Sequence, residues 1–463
     1  MTPSALPSSP SAAPVRIVVL GGGVAGLTAT RHLEARFRRH PGAEITLVSR
    51  DNFFLMSPLL FEACSGVLEL RHCAQPIRPC LRRARFIEAT VEGVDTESRV
   101  VRVLPGEGGV RELPYDHLVV ALGAVTNTSL IPGSHHARTF KTVADGLLLR
   151  NHVIERFERA EVETDPRRRR QLLTFVVIGG GLVGVELLGE LTAFAADVLR
   201  YYPRIRRDEL SYHLFEAGGR LLPESTSRLA AYAERTLRRR GAELHIATPV
   251  QAIEPWGVRW KEGVAEADTV VLAAGIAANA VAAEVAVEHD RRGRIVTDAT
   301  MRSVSDPRVW ALGDCAAIPG PDGTPYPSLA QHAIREAAAV ARNVHAAVTG
   351  RAPGPFVFRT LGTMAAFGHT RAAADVRGLP LTGFIAWWMR RTYYLFQMPR
   401  WDTRLRIALD WTLALFFRPD LTKVDLAVEE EQEARNRPAG SSPPPSASPD
   451  AERVPAASAP GGV

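Results

Sequence analysis

The sequence predicts an α/β fold built on two helix-covered parallel sheets, and three observations predict it. Two glycine clusters, at Gly21 and Gly179, each follow a short apolar run. Strand-like runs rich in Val, Ile and Leu recur at 15–20, 44–49, 118–122, 173–178, 211–216 and 269–273. Helical patterns lie between several of these runs, as expected of parallel strands joined by helical crossovers.

The chain has 463 residues, enough for two or three domains of ordinary size. The pattern divides it into a disordered leader at 1–14, a first unit formed by 15–150 and 290–350, a second unit at 171–289, a third at 351–430 and a disordered tail at 431–463. Both ends are rich in Ser, Pro and Ala and hold too little apolar content to offset the entropy of ordering. The formal net charge is +6, an excess that any solvated face of so long a chain accommodates, so no nucleic-acid partner is expected. The abundance of Ala, Arg and Pro fits a high-GC bacterial coding bias. Cys64, Cys73, Cys80 and Cys315 have neither zinc-ligand nor CxxC spacing, and a reduced intracellular setting is expected. No metal site is visible in the pattern. The leader lacks the charged and apolar regions of a signal peptide, and no run of about 18 apolar residues suggests a spanning helix.

The first element is the buried strand Arg16-Ile17-Val18-Val19-Leu20, which runs into Gly21-Gly22-Gly23-Val24-Ala25-Gly26. Gly21, Gly23 and Gly26 fill GxGxxG. The first glycine makes the tight turn, the second lets the backbone approach a pyrophosphate, and the third lets helix and strand pack closely. The preceding strand and the helical run at 27–37 give the motif its required setting. The next strand usually ends in an acid that holds the adenosine ribose. Here it ends in Ser49, followed by Arg50 and Asp51, and a hydroxyl holds a ribose less strongly than a carboxylate does.

The second cluster repeats the pattern. The run 174–178 leads into Gly179-Gly180-Gly181-Leu182-Val183-Gly184-Val185-Glu186, with Gly179, Gly181 and Gly184 in the motif positions. The paired strand ends in Glu216, whose carboxylate suits the ribose hydroxyls of NADH and repels the extra phosphate of NADPH. Arg220 is the one nearby cation able to serve that phosphate. Glu186 stands at the start of the following helix. It either packs there or lines the nicotinamide side of the site, and the chemistry weighs the two evenly. Two such units make the chain an α/β protein with two Rossmann-like dinucleotide-binding domains.

In order along the chain stand GGGVAGL, NFFLMSPLLFEACSG, LVVALGA, IGGGLVGVELLGEL, VLAAGI and VWALGDCAA. This ordered set, over roughly residues 15–425, resembles the two-dinucleotide flavoprotein reductases of the pyridine nucleotide-disulfide reductase type. Within them it resembles the type II NADH dehydrogenases, single-subunit NADH:quinone oxidoreductases that pump no protons. The resemblance implies that Gly21, Gly23 and Gly26 hold the FAD pyrophosphate, with Ser49 and Arg50 at its adenosine. A loop at 52–60, including Pro58 and Leu59, would run beside the flavin. Ala121, Leu122 and Gly123 would form the crossover out of the FAD domain, and Gly275 would lie in the crossover out of the NAD domain. Gly179, Gly181, Gly184 and Glu216 would bind NADH, and Glu186 would sit near nicotinamide and flavin. Gly313 and Asp314 would meet the ribityl chain and phosphate of FAD. The run from Ser328 to Ala337 resembles the family's AQxAxxxG helix on the quinone side, with Ala337 in place of the glycine. Gln331 is the expected contact to the quinone ring, and the helix N-terminus would favour negative charge on the flavin. The chain lacks the CxxxxC pair of disulfide reductases, and its cysteine spacing also speaks against sulfide:quinone reductases.

The stretch from about 361 to 424 opens with glycines and a few strand-like residues, then carries two aromatic-rich helical segments, the second at 405–417. Residues 380–423 hold seven Lys or Arg against three Asp, most of the chain's formal excess. Such segments lie in a lipid interface, with Trp and Tyr at headgroup level and arginines near anionic lipids. The plain alternative is packing against the core or a homodimer contact. The resemblance implies peripheral docking on the cytoplasmic face of the cell membrane, with dimers formed by such enzymes. The expected activity is hydride transfer from NADH to FAD, then passage of two electrons to a membrane quinone in a respiratory chain. Two other readings stay open: a soluble NAD(P)H reductase with a ferredoxin-like or small-molecule acceptor, and a non-catalytic flavin-binding interaction protein.

Overall fold

A strand covered on both faces by helices reads as a largely apolar run. The first sheet is built of five strands whose central members are mostly apolar and of which one edge strand, Arg85–Glu88, is charged at both ends. The computed structural model describes residues 13–40, 42–106, 108–417 and 421–423. The expected disorder at 1–12 and 431–463 lies outside those residues. The first sheet runs in the order Val309–Ala311, His117–Val120, Val15–Leu20, Ala43–Ser49 and Arg85–Glu88. All its pairings are parallel. Its other edge strand comes from late in the sequence, so two separated stretches of chain share one sheet.

The second sheet repeats this plan in the order Arg138–Thr139, Thr269–Leu272, Thr174–Ile178, Ser211–Phe215 and Ala242–His245. Its pairings are also parallel. The chain therefore enters the second sheet at Arg138, ahead of the expected boundary at 150. A strand of two residues carries no periodic pattern by which the sequence could announce it. Each sheet is accompanied by a three-stranded antiparallel meander, Thr90–Asp95 with Val100–Leu104 and Arg111–Pro114 in one case. In the other it is Val250–Glu254 with Gly257–Trp260 and Gly263–Glu266.

Two crossovers join the halves. Ala124–Thr126 pairs antiparallel with Ile276–Ala278. The pairing is reciprocal beyond the strands: Asn127 N donates to Gly275 O at 3.2 Å, and Asn279 N donates to Gly123 O at 3.3 Å.

The segment expected as a loop at 52–60 is instead a short strand, Phe53–Leu55, paired with Ala74–Pro76, and a helix, Ser57–Cys64. Pro58 falls in the first turn of that helix, where its missing N–H costs nothing and its fixed φ helps. The C-terminal unit combines a small sheet with two helices. It begins with the antiparallel strands Gly362–Ala366, Ala372–Val376 and Leu379–Gly383. The helices Phe384–Gln397 and Trp401–Leu413 follow. The unit rests on the second glycine helix, Leu182–Val198. A Cβ at Gly189 of that helix would fall 2.6 Å from Phe367 Cα, so only glycine admits this approach. Arg240 ties the same place together by donating to the carbonyls of Gly189 and Gly368 at 2.9 and 3.0 Å. Among the described residues no helix is long and apolar enough to cross a membrane.

Candidate active site

The two glycine clusters fold into the same local shape. Gly21 and Gly179 have φ of +103° and +117°, and a side chain at either would collide with the backbone just past the end of the neighbouring strand, at Ala121 and Leu122 or at Ala273 and Ala274. A Cβ at Gly26 or Gly184 would strike the carbonyl of Gly21 or Gly179 respectively, which fixes how closely each helix rides on its strand. Over Gly23 and Gly181, by contrast, a Cβ would meet nothing within 4 Å. That open space lies at the start of the helices Val24–Arg36 and Leu182–Val198. Neither helix has a side-chain cap or an acid in its first turn. The first N–H groups of each helix are thus left for an anion, and the dipole favours one there. The residues present fit a dinucleotide pyrophosphate at both places.

The sites differ where the second strand ends. At Gly180 a Cβ would lie 2.8 Å from Glu216 Oε2, and at Gly22 it would lie 2.6 Å from Ser49 Oγ. Ser49 and Glu216 therefore occupy equivalent positions. The Glu216 carboxylate is held by Gly180 N at 2.6 Å and Gly218 N at 2.5 Å. Among the described residues the shorter Ser49 side chain has no such anchor. Arg220 donates to the carbonyls of Pro223 and Ser225 at 2.6 and 2.7 Å, which occupies the cation suspected of serving NADPH. Arg50 is exposed and pairs with its neighbour Asp51 at 3.3 Å.

The third contribution comes from the end of the late strand of the first sheet. Gly313 abuts Ala25 of the first glycine helix: a Cβ there would lie 3.2 Å from the Ala25 Cβ. Asp314 is thereby brought beside the first fingerprint, 3.9 Å from Lys141 Nζ. Gly313, Asp314, Tyr326, Ser328, Leu329 and His332 line a small cleft at the start of the helix Ala330–Val348. That helix also begins without a side-chain cap or an acid in its first turn. Glu336 in its second turn accepts from Gly313 N at 2.8 Å. Burial pushes its carboxyl up to about 7, against the pull of that N–H.

Gln331 is turned away from this cleft. Its Nε2 donates to Gly362 O at 2.8 Å and its Oε1 accepts from Leu361 N at 3.2 Å. Both ends of the amide are committed to main chain, so the side chain fastens the C-terminal unit to the helix. A glutamine on an alanine-rich helix gives no sign of which way it will turn.

Glu186 is likewise drawn inward. Its Oε1 accepts from Ala366 N at 2.8 Å and pairs with Arg390 Nη2 at 2.8 Å. Arg390 also donates to Pro58 O at 2.8 Å and approaches Glu62 Oε1 at 3.4 Å. Arg391 pairs with Glu62 Oε2 at 2.9 Å, and Trp411 Nε1 donates to the same oxygen at 2.7 Å. Arg390 and Arg391 have side chains only 1% and 8% exposed. This corrects the expectation that they are lipid-facing cations: each has a buried carboxylate to neutralise, and an ion that deep is tolerable only when paired. Burial raises the Glu186 carboxyl above its ordinary range, and Arg390 opposes the shift. The cluster joins the segment holding Pro58 and Leu59, the second glycine helix and both C-terminal helices.

A profile of the pyridine nucleotide-disulphide oxidoreductases matches residues 15–337. The type II NADH:quinone oxidoreductase Ndh of Mycobacterium tuberculosis is 29% identical over 431 residues, 89% of this chain and 90% of the relative. The demethylphylloquinone reductase NdbB of Synechocystis is 30% identical over 404 residues, 86% of this chain and 95% of the relative. The structure of NDH2 from Plasmodium falciparum in complex with NADH superposes with a TM-score of 0.82 at 19% identity, covering 88% of this chain and all of that one. The chain belongs to the pyridine nucleotide-disulphide oxidoreductases, as a type II NADH dehydrogenase.

For a type II NADH dehydrogenase the cysteines are telling. All four are free, and burial pushes the thiols of Cys64, Cys73 and Cys315 up to about 12. A thiol so far from ionising is a poor nucleophile, so the disulphide chemistry in the family's name has no visible seat here. The residue of this cluster that the sequence did not single out is Glu62; Arg390, Arg391 and Trp411 stood out only as parts of an aromatic, cationic segment. The adjacent arginines in an aromatic helix were the available signal, and their burial gives that signal its meaning.

Proposed function

We propose that this chain is an FAD-dependent NADH:quinone oxidoreductase that pumps no protons, and that its two fingerprints take different dinucleotides. The observation that carries the reading is the pair of equivalent cradles ending in Ser49 and Glu216. The anchored carboxylate suits NADH. FAD belongs at the first cradle, held by Gly21, Gly23 and Gly26, with Ser49 and Arg50 at its adenosine and Gly313 and Asp314 along its phosphate and ribityl chain. Pro58, Leu59, Ala121 and Gly123 border the same site. NADH belongs at Gly179, Gly181, Gly184 and Glu216, with Gly275 in the crossover. When bound, FAD supplies the redox chemistry, taking hydride from NADH and passing two electrons to a quinone.

The chain's own residues bind, orient and manage protons. Glu186 stands on the helix that opens at the NADH cradle. Its burial favours the protonated carboxyl while Arg390 favours the carboxylate, so the pair is suited to holding a proton at Glu186. Gln331 acts as a positioning residue, fixing the C-terminal unit against the helix at the cleft. Anaerobic NADH should bleach the flavin of the holoenzyme, and a quinone should restore it. Failure of every quinone to reoxidise the flavin overturns the reading.

For the acceptor's source, we take a lipid surface met by the C-terminal helices. Trp401, Leu405, Leu409 and Leu413 recur at intervals of four and are 53–76% exposed, which makes an apolar stripe along one helix face. Phe384, Ile385 and Trp388 add a second exposed patch. This arrangement supports peripheral docking, and the cytoplasmic face of the membrane is where NADH is supplied. Leu405→Glu with Leu409→Glu should release the protein from vesicles of anionic phospholipid while flavin binding persists. Unchanged vesicle binding refutes the docking face, and a change from dimer to monomer in sedimentation instead assigns it to a homodimer.

A further inference from the structure

The second sheet carries a cluster that the proposed reaction leaves unused. Strands Ser211–Phe215 and Ala242–His245 place His213 opposite Glu243 and Phe215 opposite His245. Alternate residues share a face of a sheet, so His213, Glu243 and His245 project together as direct and diagonal neighbours. His213 Nδ1 lies 3.1 Å from His245 Nε2. Glu243 Oε2 lies 3.6 Å from the former and 4.0 Å from the latter. A zinc ion with bonds of roughly 2.0–2.1 Å holds tetrahedral ligands about 3.3 Å apart. Two of the three donor separations, 3.1 and 3.6 Å, straddle that spacing and the third, at 4.0 Å, is wider.

The surroundings hold the two imidazoles in place. Ser211 Oγ lies 3.0 Å from His213 Nε2, which leaves Nδ1 for the cluster. A partner on the far ring nitrogen is what orients a metal-binding histidine. His245 is stacked on Phe215 with ring centroids 4.2 Å apart and planes within 5°, and Trp260 covers it at 5.3 Å. Glu243 has a side chain 66% exposed, so an ion can enter from solvent and keep water in a fourth position. Two imidazoles and one carboxylate make a borderline-soft donor set that suits zinc rather than magnesium or calcium.

We propose that His213, Glu243 and His245 form a site for a divalent transition-metal ion of the zinc class. The site lies on the two strands that present Glu216, whose N–H donates to the carbonyl of His245 at 2.9 Å. An ion there clasps the strands just before the chain reaches the ribose-binding carboxylate. The two histidines are 32 residues apart on different strands, so spacing along one strand shows only Glu243 and His245.

The test is calorimetric titration of the FAD-loaded full chain with Zn2+, beside thermal unfolding with and without the metal. The wild type should take up one saturable equivalent that raises its unfolding temperature, since the site exists only in the folded chain. Glu243→Gln, at an exposed position that leaves the fold intact, should weaken binding at least tenfold or so, and Ser211→Ala by about 10–100-fold through its effect on His213. His213→Asn should abolish the equivalent. The proposal is overturned if the wild type takes up no saturable zinc. It is equally overturned if Glu243→Gln and His213→Asn bind zinc as the wild type does.

Discussion

Replacing Arg390 with Met removes the cation that Glu186 and Glu62 share while keeping most of the side chain's bulk. Arg390 lies 2.8 Å from Glu186 Oε1 and 3.4 Å from Glu62 Oε1, with a side chain 1% exposed. Taking one partner from a buried ion pair costs about 3–5 kcal/mol. Arg391 still pairs with Glu62 at 2.9 Å, so only Glu186 loses its cation, keeping the Ala366 N–H at 2.8 Å, and the lower end, about 3 kcal/mol, applies. Burial already raises the Glu186 carboxyl, and Arg390 is the largest influence lowering it. Without Arg390 the carboxyl rises further. A carboxyl raised by folding binds more protons in the folded chain than in the unfolded one. Stability therefore falls as pH climbs from the ordinary carboxylate value through the raised one. The deficit of Arg390→Met should be small near pH 5 and large near pH 8. Urea unfolding of the FAD-loaded protein, followed by tryptophan fluorescence at both pH values, reads it directly. Adding Glu186→Gln, which leaves no charge to bury, should recover at least about 1 kcal/mol at the higher pH. Equal midpoints for variant and wild type at pH 8, or a deficit that ignores pH, would refute the reasoning.

Three further outcomes are expected. Glu216→Ser copies the first cradle into the second and should lower kcat/KM for NADH by about tenfold or more, the loss of one charged hydrogen-bonding partner of about 1.5–3 kcal/mol; the ratio to kcat/KM for NADPH should fall in parallel, and an unchanged ratio would show that Glu216 does not discriminate. Gly184→Val puts a branched side chain where even a Cβ meets the Gly179 carbonyl, so flavin content should persist while bleaching by NADH is lost, as stopped-flow absorbance would record. Glu336→Gln should flatten a stability decline with pH. The carboxyl is raised to about 7 in the fold, so wild-type stability falls between the ordinary carboxylate value and about 7; parallel unfolding curves for the two proteins across that window would contradict this.

The fingerprints were legible because their demands are local. A glycine at positive φ, a second facing open space and a third against a carbonyl are all set within six residues, next to strands whose apolar runs are unambiguous. Glu216 and Ser49 were legible for the same reason, each closing the strand beside its own fingerprint. The segment at 52–60 was misread as a loop because three strand residues and a proline-started helix carry too little periodicity. Arg138–Thr139 escaped for want of length. The arginines at 390 and 391 looked like cationic flanks of an interfacial helix, and nothing in the helix itself contradicts that.

By itself the sequence determined the two dinucleotide cradles, their unequal ends and the sheets that carry them, since each depends on neighbours along the chain. Only the tertiary structure decided where the charges of the C-terminal helices go. Arg390 meets Glu62 across 328 residues and the Glu62 carboxylate also receives Trp411 across 349. Likewise His213 meets His245 only because two strands pair in one register. A buried charge is specified by the partner that neutralises it, and a partner so distant in sequence leaves no local pattern to read.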